Sequence, residues 1–370
     1  MVKKLFMILL SCTILFSACS SDKAETTTKA VKEKLIIAQD GEPKSLDVHQ
    51  GNDGFSLRAN KLIYSRLVES DGDMNIIPGL AESWEQIDDK TMQFKLRKGV
   101  KFHNGYDFTA EDVKFSFDRM ANSPRIAFVL PPIEKVEIVD DYTVNIVTKT
   151  PFGPLLAHLS HPALGIVSKK LITEDEQSFK EHPIGTGSYK FKEWVPGDSL
   201  TLEKNEDYFD KKNGLKYIVF KNIVEASNRT IGLETGEIDI SISVSSVDEN
   251  TIKNNPKLQL ITKPSISYSY VGMNTQKTPL NDVRVRKAIN YAVDKQAIVD
   301  VILNGSGKIA TSPIAPGVFG FTDKTKNYEY NVEKARELMK EAGYENGFKT
   351  SILVFGGEAN TQTAEILQAY

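Results

Sequence analysis

Both cysteines of the chain, Cys12 and Cys19, fall within its first twenty residues, so everything after them must fold without a disulfide, a thiolate metal site or a thiol nucleophile. A body of that kind has to be held by an apolar core. The composition supplies one: 40% of the 370 residues are hydrophobic, and at roughly 100–200 residues per domain the length predicts about two domains. The charges nearly cancel, with 46 basic against 49 acidic side chains. Without a basic excess or stripe, no nucleic-acid partner is expected.

Lys3 and Lys4 followed by the apolar stretch Leu5 to Phe16 read as a secretory signal over residues 1–18. That stretch is shorter than the roughly 20 residues that span a bilayer, so the mature protein is expected to have no transmembrane helix. Phe16-Ser17-Ala18-Cys19 resembles a bacterial lipobox, with phenylalanine where an aliphatic residue is usual. It predicts cleavage before Cys19, lipidation of that cysteine and attachment to the membrane through the lipid. Residues 19–34 are polar and free of aromatic side chains, the composition of a flexible tether.

From Leu35 onward short strand patterns mix with amphipathic helices, which predicts an α/β body with mixed sheets. Leu35 to Ala38 reads as a buried strand, Gly41-Glu42-Pro43 as a break and Phe55 to Leu67 as a helix. Met92 to Leu96 alternates like a half-buried strand, and the segments around Asp140-Asp141 read as a hairpin. Thr109 should cap a helix whose stripe is Val113, Phe117 and Met120. Further on, strands are expected at Tyr189, Ser199–Leu202, Ile218–Phe220, Ile266–Met273 and Lys349–Phe355. Helices are expected over Glu225–Glu234, from Asn281 or Asp282 to Val293, after Asn331, and over Thr361–Tyr370.

Catalytic signatures are missing. There is no G-x-S-x-G elbow and no H-E-x-x-H helix. Gly305-Ser306-Gly307-Lys308 fails as a phosphate loop, because Ile302 and Ile309 stand where a glycine and a hydroxyl are required. His158-x-x-His161 is the one histidine pair with metal-sharing spacing, but two imidazoles alone make a poor site. Glu174-Asp175-Glu176 reads as a solvated face or a helix start. Neither a metal nor a cofactor is expected.

The run Leu96-Arg97-Lys98-Gly99-Val100-Lys101-Phe102-His103-Asn104-Gly105, then Phe108-Thr109-Ala110-Glu111-Asp112-Val113, resembles the signature of the family 5 extracellular solute-binding proteins, the peptide and nickel receptors of ABC importers. Leu80 to Trp84, Ser45-Leu46-Asp47, Pro183 to Tyr189, Gly236 to Asp239, Asn274-Thr275 and Pro279 to Ala288 match as well. Most of these residues read as scaffold. Gly99, Gly105, Gly185 and Gly187 suit turns, Trp84 and Phe102 suit a core, and Arg284 and Arg286 suit ion pairs.

The resemblance implies a two-lobed, Venus-flytrap α/β fold that closes on its ligand. Lobe I would cover residues 35–273, with an inserted subdomain at about 81–184, and lobe II residues 274–370. Family members usually continue beyond the last helix here, so lobe II is expected to be incomplete and the chain to be a shortened form. The implied function is capture of di- or oligopeptides outside the cytoplasmic membrane and delivery to the permease subunits, without catalysis. Ligand-facing positions carried over are Glu42 and Ser45, the segment Asn122 to Arg125, and Tyr268, Tyr270 and Asn274. Alternation alone leaves the two tyrosines facing either cleft or core. A nickel chelate, haem or glutathione would suit the same scaffold. An exported hydrolase and a nonfunctional remnant are the alternatives from other classes.

Overall fold

The apolar run beginning at Leu35 becomes the central strand of the body. The computed structural model describes residues 32–210, 214–263, 265–354 and 358–370. The expected signal, the expected lipidation position Cys19 and the expected tether up to residue 31 lie outside the described residues. The body runs from Glu33 to Tyr370. Strand β1 (Lys34–Gln39) leads through a long loop into α1 (Gly54–Ile63), then β2 (Val68–Ser70) and β3 (Ile76–Pro78). A second group follows: β4 (Ala81–Gln86), β5 (Thr91–Leu96), α2 (Ala110–Ala121), β6 (Ile133–Asp140), β7 (Thr143–Thr148), α3 (Leu155–Leu159) and α4 (Lys169–Glu181). The chain then returns with β8 (Tyr189–Val195), β9 (Ser199–Lys204), β10 (Tyr217–Asn222), α5 (Ala226–Thr235), β11 (Ile240–Ser241) and α6 (Glu249–Asn254). Four helices complete it: α7 (Val283–Ala292), α8 (Lys295–Ile302), α9 (Val332–Glu341) and α10 (Glu358–Ala369).

The main sheet has the order β11-β1-β10-β9-β8. Strand β1 pairs in parallel with β10 (Leu35 opposite Ile218, Ile37 opposite Phe220) and with β11, while β10, β9 and β8 pair antiparallel. Helix α5 is therefore the crossover that carries the chain from one side of β1 to the other. Residues 81–148 build a separate antiparallel sheet, β4-β5-β7-β6, held by the hairpin expected around Asp140.

Two cores follow from these patterns. In one, the inward positions of β5 and β7 (Phe94, Leu96, Val144, Ile146) meet the α2 stripe of Val113, Phe117 and Met120, with Phe102 and Phe108. In the other, Ile63, Tyr64, Val167 and Phe179 pack on Leu200, Leu202, Ile218 and Phe220 of the main sheet. Thr109 caps α2, and its amide donates to the Asp112 carboxylate at 2.9 Å. Gly236 closes α5 in the left-handed region at φ 78°, and Asp282 and Asn331 cap α7 and α9. No described helix is long and apolar enough to cross a membrane.

Four expectations need correction. The first helix ends at Ile63 rather than Leu67, because Tyr64 is extended and residues 64–67 run buried between the two cores. Ile266–Met273 alternates like a strand but forms none. Among the described residues no neighbouring strand bonds to it, and Ile266, Tyr268, Tyr270 and Val271 stay exposed. The same holds for residues 349–354, where Leu353 is 97% exposed; Phe355 lies outside the described residues. Alternation equips a segment for a sheet, yet a strand exists only where a partner supplies the ladder. Finally, Arg284 pairs with Asp282 as expected, but the Arg286 guanidinium donates to the carbonyls of Leu280 and Asn281 instead of an acid.

Candidate ligand-binding site

In open sheets with parallel strands, ligands bind outside the carboxyl ends of those strands, where side chains and free loop backbone converge. Here that edge is formed by the ends of β10, β1 and β11. Gln39, the last residue of β1, is buried; its carbonyl accepts from the Ile223 amide at 2.8 Å, and its side-chain oxygen accepts from Arg58 at 2.6 Å. The Ile242 amide donates to the Ala38 carbonyl at 2.9 Å. Three loops therefore leave the edge side by side: 40–53, 223–225 and 242–248.

The 40–53 loop carries most of the chemistry. The Glu42 carboxylate accepts from the Trp194 indole at 3.3 Å and from the Gly197 amide at 2.9 Å, which ties the loop to the β8–β9 turn. Ser45 makes a local turn: its hydroxyl accepts from the Asp47 amide at 3.1 Å, and its own amide donates to Ser56 at 3.2 Å. Asp47 is 4% exposed and takes both arms of Arg119 of α2, at 2.8 and 2.6 Å, while Glu176 of α4 lies 3.6 Å from the same guanidinium. Burial alone would raise the Asp47 carboxyl. The bonds and charge of Arg119, with His49, more than offset it and hold the pKa below the usual value. His49 is fully buried; its Nε2 donates to the Gly165 carbonyl at 2.9 Å and its Nδ1 has no partner. Burial, reinforced by the Arg119 charge, depresses its pKa to about 4, so it is neutral.

The structure brings two of the three expected ligand-facing segments together. Besides the Asp47–Arg119 pair, Ser123 donates to the His49 carbonyl at 2.6 Å, so the Ser45 loop and the 122–125 segment share one contact region. Within that segment Asn122 bonds back to the Asp118 carbonyl, and Arg125 is exposed. Tyr268 and Tyr270 touch only through their rings, with centroids 5.7 Å apart, and are 43% and 78% exposed. Asn274 turns its side-chain oxygen to the Gln276 amide at 3.0 Å. Among the described residues no hydrogen bond or ion pair joins this third segment to the first two.

Two cavities lie elsewhere. One of about 470 Å³ is lined by Tyr64, Arg66, Glu69, Tyr189 and Lys204, with Arg66 and Glu69 paired inside it; the other, about 280 Å³, lies beside His103 and His182. Neither is lined by any of the seven carried-over positions. His158 bonds to the Val129 carbonyl and His161 to the Ala163 amide, so both rings serve the backbone. Among the described residues no cluster of three or more metal-ligating side chains is present.

Sequence reasoning missed Arg119 and Arg229, the two cations that tie the edge loops down. Asp47 stood inside a recognised motif, but nothing local pairs it with a residue 72 positions away. Arg229 gave a weak signal, an arginine one turn into a helix beside Thr230 and Gly232, all three buried.

The family model of the bacterial extracellular solute-binding proteins, family 5, middle region, matches residues 75–370. A glutathione-binding protein from Pectobacterium atrosepticum is 36% identical over 86% of this chain, and heme-binding protein A from Haemophilus influenzae is 32% identical over 95%. The chain spans 62% of the length of the first and 71% of the second. Among solved structures, the ABC transporter-associated periplasmic binding protein DppA from Helicobacter pylori, in complex with the peptide STSA, superposes with a TM-score of 0.76 at 31% identity, covering 91% of this chain and 71% of that one.

Proposed function

The chain belongs to the bacterial extracellular solute-binding proteins of family 5, and from that membership we propose that it captures peptides outside the cytoplasmic membrane for delivery to the permease of an ABC importer. The family is one of binding proteins rather than enzymes. The observation that carries the peptide reading is the segment Ile266–Met273, mostly exposed and, among the described residues, without a backbone–backbone hydrogen bond, the Ser267 amide alone donating to the Ser265 hydroxyl at 2.9 Å. A peptide can satisfy such a row of amides and carbonyls by adding as a strand; haem or a metal chelate has no backbone to offer. Glutathione, itself a short peptide, falls within the same chemistry, and a solved relative holds the peptide STSA.

Native mass spectrometry and calorimetric titration of the detergent-solubilised chain with a dipeptide, a tetrapeptide, a nonapeptide, glutathione, haem and nickel–histidine test this reading. The expected result is saturable peptide binding at about micromolar Kd, near -8 kcal/mol, with no hydrolysis product. Saturation by haem or nickel–histidine alone, or peptide turnover, would overturn it.

We further propose that Cys19 carries the lipid that keeps the receptor at the membrane, its polar flank acting as tether. Labelled palmitate should enter the wild-type protein and be lost in Cys19→Ser; equal labelling of both would refute lipidation at Cys19.

A further inference from the structure

Arg229 occupies the first turn of α5 and is 3% exposed. Its Nη1 donates to the carbonyls of Ile223 at 2.7 Å and Val224 at 2.8 Å, and its Nη2 donates to the Ser243 carbonyl at 2.9 Å. The first two carbonyls belong to the loop that leaves β10, the third to the loop that leaves β11. Strand β1 runs between those strands, so one guanidinium spans the edge from which the 40–53 loop also emerges.

Two further observations show that this contact is imposed by the fold. Among the described residues the buried guanidinium bonds through its Nη atoms to carbonyl dipoles alone, and its Nε has no partner, an arrangement that is costly unless the geometry is closely met. Ser243 holds φ 62°, a left-handed conformation that a serine adopts only when its surroundings over-determine it. The planar fork of arginine can reach three carbonyls at fixed angles; the single ammonium of lysine cannot reproduce that set.

We propose that Arg229 is the positioning residue of the ligand site: it clamps the 223–225 and 242–248 loops to each other and so holds the carboxyl edge in its binding geometry. The clamp is a property of the fold, and its effect on affinity rests on the peptide reading above.

Hydrogen–deuterium exchange of the full chain in detergent, as wild type, Arg229→Lys and Arg229→Ala, tests the clamp directly. Amides of residues 222–226 and 240–247 should exchange about 10- to 100-fold faster in both variants, with β5 and β7 unchanged. Added guanidinium should slow them again in Arg229→Ala but not in Arg229→Lys. Affinity for a nonapeptide probe should fall about tenfold in Arg229→Lys. Unchanged exchange in these two segments, or a uniform rise across the whole body, overturns the clamp. Loss of local protection with unchanged probe affinity overturns its role in binding. A wild-type chain that ignores every peptide sinks the receptor reading instead, while the exchange data still decide the clamp.

Discussion

A chain carrying Gly185→Ala is expected to unfold at a much lower urea concentration than wild type, although the change adds a single methyl group. A Cβ at Gly185 would overlap the Ile63 carbonyl oxygen and stand 2.8 Å from both the Ile63 carbonyl carbon and the Tyr64 ring. Neither neighbour can move. Ile63 ends α1, and its carbonyl accepts the Gly187 amide at 2.8 Å; Tyr64 is fully buried, with its hydroxyl on the Leu46 carbonyl. The segment is pinned from the other side as well: the His103 amide donates to the Gly185 carbonyl at 2.9 Å, and Asn205 and His103 both donate to the Gly187 carbonyl at 3.0 Å. Separating these backbones to admit a methyl breaks several bonds where both cores meet. The cost should be about 3–5 kcal/mol, a large share of the ~5–15 kcal/mol that stabilises a domain. Urea unfolding would show it, with Gly54→Ala as the control, since a Cβ there meets nothing within 4 Å. Equal midpoints for Gly185→Ala and wild type would refute the close-approach account.

The same motif shows what could and could not be read from residues alone. Gly99 and Gly105 do sit in left-handed turns, at φ 73° and 89°, as their place beside polar residues suggests. Gly185 and Gly187 belong to a motif recognised for its order and spacing, but the turn reading misses their purpose, which is contact with a helix end more than 120 positions earlier. Periodicity found β5, the Asp140 hairpin and the α2 stripe because each depends on neighbours along the chain. It failed where the deciding partner is distant. Residues 64–67 continue the apolar pattern of α1 yet leave the helix, because backbone from residues 186–187 meets them there. Ile266–Met273 has the alternation of a strand and, among the described residues, no strand beside it. Ser45, Asn122 and Arg125 follow from resemblance, and what joins their segments is the bond from Ser123 to the His49 carbonyl beside the Asp47–Arg119 pair, whose spacings no local pattern encodes.

Acidification should destabilise the protein, because His49, fully buried, and His103, half-buried, are both held in their neutral form. His49 and His103 are both held at a pKa of about 4, against an ordinary value of 6.5. Burial is the main cause in each, and the hydrogen bonding explains why the neutral ring fits. His103 Nε2 donates to the Gly187 carbonyl while its Nδ1 accepts from the Gly185 amide at 3.3 Å; a proton on Nδ1 would turn that contact into two opposed donors. His49 Nδ1, protonated, would be a buried donor with nothing to receive it. The folded pKa lies below the unfolded one, so between pH 6.5 and 4 the unfolded chain binds more protons than the folded one. The contribution of the neutral rings is therefore whole above pH 6.5 and shrinks as pH falls toward 4. At about 1.4 kcal/mol per pH unit and histidine, each should cost ~3 kcal/mol by pH 4, enough together to unfold a domain of ordinary stability. Only below that range does Asp47, with its lowered pKa, begin to lose its bond to Arg119. Urea midpoints at pH 7, 5.5 and 4.5 should fall steeply, and the double change His49→Gln and His103→Gln, though less stable at pH 7, should flatten the slope. A wild-type midpoint that holds steady from pH 7 to 4.5 would show that these rings are charged in the fold, or reach water, and that the bonds assigned to them are not what keeps them neutral.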